Sequence, residues 1–281
     1  MLVSGALAHA PMRRPGSQAA AALFKQDDVA LWRRTLASYP SCLKGKQGTS
    51  PTQRHLVSDD AFLHGEVVRN MRERGQLSHA ELSRVMRWKL ARGKMRPLQK
   101  AVERNDPAAV EAVSRTALAE LDKGRWKSAL KTLTKLHAVG PATASIVLCL
   151  YAPEQAPFMA DEAMEAVPGS APCSGNSAAY SEDAYASFRD DMVKRAGELA
   201  KLGWEGCTPE DVGRALWCAA MLSIGVGKKI SKNYELPQQQ CGVAPADALD
   251  KPSVVKRAMT DGEPDAHVSG GNKRRRKTLV G

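Results

Sequence analysis

The stretch L-H-A-V-G-P-A-T-A-S-I-V-L-C-L-Y, Leu136 to Tyr151, decides the fold. Upstream of it, Trp126 to Leu136 has the apolar spacing of an amphipathic helix. His137 to Gly140 cannot easily continue that helix, and Pro141 suits the first position of a new one, where its missing N–H costs nothing. The spacing therefore predicts two helices joined by a four-residue turn over residues 126–151. Gly140 can take up a positive φ or bring bare backbone close to a ligand. The first amides of the second helix have no intrahelical acceptor and point outward, and with the helix dipole they suit one phosphate. Backbone logic alone leaves a second reading open, an ordinary corner in a helical bundle that Gly140 merely closes.

Reading outward, the same patterning gives helices and no persuasive strand. A short helix fits Asp27 to Tyr39, Pro40 to Asp60 reads as a loop, and Ala61 to Arg74 is a further helix. Ser78-x-x-Glu81 is a capping-box pattern, followed by the stripe Leu82, Val85, Met86 and Leu90. Asp106-Pro107 opens another helix. Ala152 to Ala160 is a proline-containing loop, and Asp161 begins a short helix ending near Pro168. Val167 to Ala179 reads as a Gly/Ser/Pro-rich insertion. Two more helices cover about Ser181 to Leu202 and Pro209 to Leu222, the second with Thr208 as N-cap. The expectation is one all-α domain over residues 27–222, between a leader (1–26) and a disordered basic tail (223–281).

The net charge of +11 favours polyanion partners. It is concentrated in two places. K-R-R-R-K, Lys273 to Lys277, reads as a nuclear address or a nucleic-acid contact, or as a solvated tail. Arg84 to Arg104 holds eight basic residues against one acid. The leader has no acid before Asp27 and is rich in Ala and Ser, which fits an organelle transit peptide or an unstructured segment equally in kind. The six cysteines form no C-x-x-C pair, so neither zinc nor an iron–sulfur cluster is indicated, and a disulfide framework is not suggested. No apolar run approaches the roughly 20 residues of a membrane span.

The order Leu136, Val139, Gly140, Thr143, Ala144, an apolar run Ile146 to Leu150 and then Asp161 resembles the helix-hairpin-helix of the endonuclease III and oxoguanine glycosylase superfamily. Asp161 follows Gly140 by 21 residues, the separation that superfamily leads one to expect of its aspartate. M-R-W-K-L-A-R-G-K-M-R-P (Met86 to Pro97) together with P-F-M-A-D-E-A is similar to the Amun-like family of DNA glycosylase-like proteins. The likeness covers approximately residues 27–222 and neither tail. It implies a helix-hairpin-helix glycosylase fold and DNA as partner, and the cysteine spacing leads one to expect no metal and no cofactor. By that resemblance the turn residues His137, Ala138, Val139, Gly140 and Ala142 would meet the DNA backbone, and Asp161 would be the catalytic carboxylate. The basic side chains Lys127, Lys131, Lys89, Arg92, Lys94 and Arg96 would track phosphates.

Three departures temper the likeness. Ala138 replaces the first hairpin glycine, so a left-handed backbone there would be strained. Ala142 stands where bifunctional relatives carry a Schiff-base lysine, so an enzyme of this kind would release a base and leave the strand intact. Asp161-Glu162-Ala163 replaces Asp-x-His. Asp161 would stabilise the positive charge that builds on the sugar as the base leaves, or it simply caps its helix. Three functions follow: a monofunctional DNA N-glycosylase of base-excision repair, a non-catalytic nuclear DNA- or chromatin-binding protein on the same fold, or a helical protein-interaction module.

Overall fold

The computed structural model describes residues 15–168 and 177–226. All lie in the first of two units, Met1–Leu236. The second unit, Pro237–Gly281, and with it Lys273 to Lys277, lies outside the described residues.

Helices account for the regular structure, and no strand occurs among the described residues. In order they are α1 (Pro15–Phe24), α2 (Val29–Ala37), α3 (Tyr39–Lys46), α4 (Leu56–Phe62), α5 (Val68–Arg74), α6 (His79–Arg92) and α7 (Gln99–Val102). There follow α8 (Pro107–Asp122), α9 (Trp126–Leu133), α10 (Pro141–Tyr151), α11 (Asp161–Ala166), α12 (Glu182–Lys201) and α13 (Pro209–Ser223). A π-helical turn, Leu63–Val67, joins α4 to α5. None is long and apolar enough to cross a membrane.

The helix starts are set by local chemistry. Ser78 and Glu81 cap α6 reciprocally, and Thr208 and Asp211 do the same for α13. Asp106 caps α8 through the Ala109 amide. Helix α10 is buried almost all round, from Ala142 to Leu150, so it runs through the centre of the bundle. The same core also holds Trp32, Trp217, Tyr185 and Phe188, all fully buried.

Two segments differ from expectation. From Pro15 the leader is helical: α1 packs on α13 and α11, burying Ala20 and Leu23, and Ser17 donates to the Glu165 carboxylate. A Cβ on Gly16 would meet the Ala220 carbonyl oxygen at 3.2 Å, so a close backbone approach seats this helix. An alanine-rich helix shows almost no polar–apolar contrast, which hid its inward face. The domain therefore begins by Pro15. Likewise the stretch 40–60 holds α3 and the start of α4, because Pro40 sits in the first turn of α3, where proline is tolerated.

Candidate functional site

The hairpin closes in an unexpected way. Helix α9 ends at Leu133, three residues early, and the chain reaches Pro141 through a longer turn. Gly140 is extended (φ −91°, ψ 179°), and it is Ala138 that is left-handed, at φ 61°, alone among the non-glycine residues described. For an L-residue that conformation costs roughly 1–2 kcal/mol. Asn105, just before α8, holds the strained turn in place. Its Oδ1 accepts from the His137 amide at 2.7 Å, and its Nδ2 donates to the His137 carbonyl at 2.9 Å.

These bonds sort the turn's donors. The His137 amide is taken by Asn105 and the Val139 amide by the Leu136 carbonyl, so neither is free for a phosphate, and the Val139 side chain is in the core. The amides of Ala138, Gly140 and Ala142 donate to no acceptor among the described residues. A Cβ on Gly140 would meet nothing within 4 Å, so it borders open space.

All three residues line one cleft of about 270 Å³. Its walls are the end of α6 and the segment after it (Lys89 to Leu98), the start of α10, Phe158 to Glu162, and Tyr180. Asp161 is brought here by a loop pinned from below. The Tyr185 hydroxyl donates to the Pro157 carbonyl (3.1 Å), the Phe158 amide to buried Glu210 (3.2 Å), and the Met159 amide to Ser145 Oγ (3.0 Å). Glu210 is in turn paired with Arg214, 3.1 Å away, which keeps its carboxyl ionised against the cost of burial. The N-cap of α11 is Ala160, not Asp161. Asp161 instead accepts from the Tyr180 hydroxyl at 2.7 Å and faces the cleft. Beside it, burial pushes the Glu162 carboxyl up, and the charge of Arg92 opposes that shift.

The basic side chains assigned to phosphates do not form one surface. Arg92 is 2 % exposed, its guanidinium 4.4 Å from the Trp217 ring and 5.2 Å from those of Trp88 and Phe158. Such a cation braces the cleft floor and is out of reach of a backbone phosphate. Arg84 and Arg87 are committed to Asp59, a fully buried carboxylate, at 3.0 and 2.6 Å. Trp88 is core, donating its indole N–H to Asp60. Lys94 and Arg96 are exposed on the cleft rim, and Arg96 lies 5.5 Å from the Tyr180 ring centroid. Lys127 and Lys131 are exposed on α9, Lys127 over Trp126.

Lys89 also departs from the phosphate-tracking scheme. It projects from α6 into the cleft, where Nζ donates to Thr143 Oγ1 at 2.9 Å. Burial, with the nearby charge of Arg96, pushes its pKa down to about 8, and Asp161 partly offsets this. An amine thus enters the site from a helix outside the hairpin, although Ala142 holds the position where the resemblance looks for one. Asn105, Ser145, Glu210, Tyr180 and the inward aim of Lys89 were missed in the sequence, because each acts through a partner at least 14 residues away. No cluster of three metal-binding side chains occurs among the described residues.

Compared with family models, with curated proteins and with solved structures, the chain matches none.

Proposed function

We propose that the chain is a DNA-binding protein that draws a nucleotide into the cleft behind the hairpin and releases its base. The observation that carries this reading is one of placement. Three backbone amides with no acceptor among the described residues, at Ala138, Gly140 and Ala142, open onto the same cleft as Asp161. Amides at a helix start suit a phosphate whatever the sequence, and the exposed Lys94 and Arg96 add cationic charge at the rim. A base inside the duplex cannot reach Asp161, so the nucleotide must be flipped out. As the glycosidic bond breaks, positive charge develops on the sugar, and a fixed carboxylate in a confined site stabilises it and orients a water. The Tyr180 hydroxyl fixes the carboxylate for that role.

Ala163 in the place of the superfamily's histidine favours a second reading, a DNA-binding protein without the chemistry. Incubation with a panel of duplexes carrying single base lesions separates the two. The first predicts alkali-labile abasic sites with at least one lesion and none with Asp161→Asn. The second predicts binding with no abasic product.

A further inference from the structure

Resting on the base-release reading above, we propose that Arg92 receives the departing base, and that the cleft selects bases with a carbonyl where adenine and cytosine carry an amine. Arg92 stands apart from the other arginines of α6. Arg84 and Arg87 pair with Asp59, whereas among the described residues Arg92 meets no carboxylate at ion-pair distance and its buried Nε has no hydrogen-bond partner. The Trp217, Trp88 and Phe158 rings around it offset its charge. They offer no oxygen or nitrogen lone pair to its N–H groups. An unmet buried donor is costly, so a guanidinium kept this way in the lining of a cleft calls for an acceptor that arrives with the ligand. At 2 % exposure, only a group inserted into the cleft can reach it. Lys89 lies one turn earlier in the same cleft, donating to Thr143 Oγ1 and with no acidic partner at ion-pair distance among the described residues.

Arg92 carries donors only, and Lys89 does so below its pKa of about 8. Against the exocyclic amine of adenine or cytosine they set donor to donor. The carbonyl in the same place on hypoxanthine or uracil accepts from them, and a guanidinium grips two adjacent acceptors at once, such as O6 and N7 of a purine. A site whose buried donors are left unpaired by the wrong base rejects it strongly. The charges also suit bond breaking. As the C1′–N bond breaks, its electron pair leaves with the base, and a neutral base departs as an anion. Asp161 faces the cationic sugar, while Arg92 and Lys89 stabilise the base anion. Water adds to C1′, and the proton it gives up passes to the base, so the products are an abasic sugar and a neutral free base. A base already alkylated to a cation departs neutral, draws nothing from Arg92 and is repelled by it on entry.

The test uses the full chain at neutral pH and duplexes with hypoxanthine, adenine, uracil or cytosine opposite a difluorotoluene nucleotide, which hydrogen-bonds with none of them. A 2′-fluorine on the target sugar disfavours the cationic sugar and stalls release, so affinity is read by fluorescence anisotropy. Hypoxanthine should bind at least ~10-fold more tightly than adenine, and uracil than cytosine. Each ratio should fall at least ~3-fold in Arg92→Lys, which keeps the charge and loses the fork. Lys89→Met should lower the same ratios and supplies the readout should Arg92→Lys not fold. Loss of folded protein alone leaves a ratio of affinities unmoved. On duplexes with the ordinary sugar, at least one carbonyl base should be released, and accelerated over its spontaneous loss more than cationic 7-methylguanine is. Ratios near one in the wild-type protein, ratios unchanged in both variants, release of neither carbonyl base, or a greater acceleration of 7-methylguanine overturn the proposal. The base-release reading then stands on any other base that is released. Release of no base from these duplexes or from the lesion panel overturns both.

Discussion

The two halves of the basic segment carry similar charge and do opposite things. From Arg84 to Arg92 the cations turn inward: two arginines neutralise buried Asp59, one lies among three aromatic rings, and Lys89 enters the cleft. From Lys94 to Arg104 the cations Lys94, Arg96, Lys100 and Arg104 are exposed. The change falls at Gly93, where α6 ends. A helix facing a core on one side and a buried carboxylate on another commits its arginines to partners within the fold, whereas beyond it α7 buries Val102 and leaves the cations exposed. Counting charges along the chain cannot separate these fates, and only the second half is available to neutralise phosphates.

That contrast can be broken by substitution. In the inward half, Arg92→Ala and Arg87→Ala should each destabilise the fold by about 3 kcal/mol, the low end for breaking a buried charge arrangement, since Arg84 still faces Asp59 in the latter. Neither should change the salt dependence of DNA binding. Chemical denaturation read beside an anisotropy salt series checks both statements at once. An Arg87→Ala protein of unaltered stability with a shallower salt slope would place that arginine on the DNA surface instead.

Asn105 links the segment to the turn. Asn105→Ala removes both bonds to His137 and leaves the left-handed Ala138 unsupported, which should cost about 2 kcal/mol. DNA affinity should fall with it, because the free amides lose their arrangement. Ala138→Gly should act in the opposite sense, raising stability by about 1 kcal/mol, since glycine adopts a positive φ without penalty. A loss of stability on that change would mean the Ala138 methyl packs usefully and outweighs the strain.

The smallest effects on stability belong to the outward half. Lys94→Gln and Arg96→Gln should each shift stability by less than about 0.5 kcal/mol. Each should nevertheless make the slope of log affinity against log salt shallower by about 0.9. If Lys94, Arg96, Lys100 and Arg104 each neutralise one phosphate, the wild-type slope should be about −4. All eight cations of the segment together would give a slope of about −7, but its inward half is withdrawn.

What could be read in the sequence was what neighbours in the chain decide. The capping boxes at Ser78/Glu81 and Thr208/Asp211 and the start at Pro141 each depend on residues within one turn, and all are present. The strain at Ala138 was also legible, since it depends on one residue's own backbone. The site was legible only as a set of candidates. Asp161 and Gly140 could be named, but not that the loop between them is anchored by Glu210, 52 residues beyond Phe158 in the chain. Lys89 was legible as a charge and illegible as a cleft residue, because its aim depends on Thr143, 54 residues away. Gly140 was assigned freedom of φ that the structure uses at Ala138 instead, leaving Gly140 as open backbone at the cleft mouth.

The claim that Asp161 stabilises a cationic sugar drawn into this cleft can be tested without knowing which base is removed. The decisive quantity is the dissociation constant for a duplex carrying a pyrrolidine abasic analogue, whose ring nitrogen bears a positive charge close to where the departing base would leave one. It is compared with that for the neutral tetrahydrofuran analogue in the same sequence and salt. Since an analogue of the transition state binds more tightly than its neutral counterpart, the cationic duplex should bind at least ~10-fold more tightly to the wild-type protein, and Asp161→Asn should erase the difference while retaining affinity for the neutral duplex. Equal affinity of the wild-type protein for the two analogues, or a preference that survives Asp161→Asn, would contradict the account.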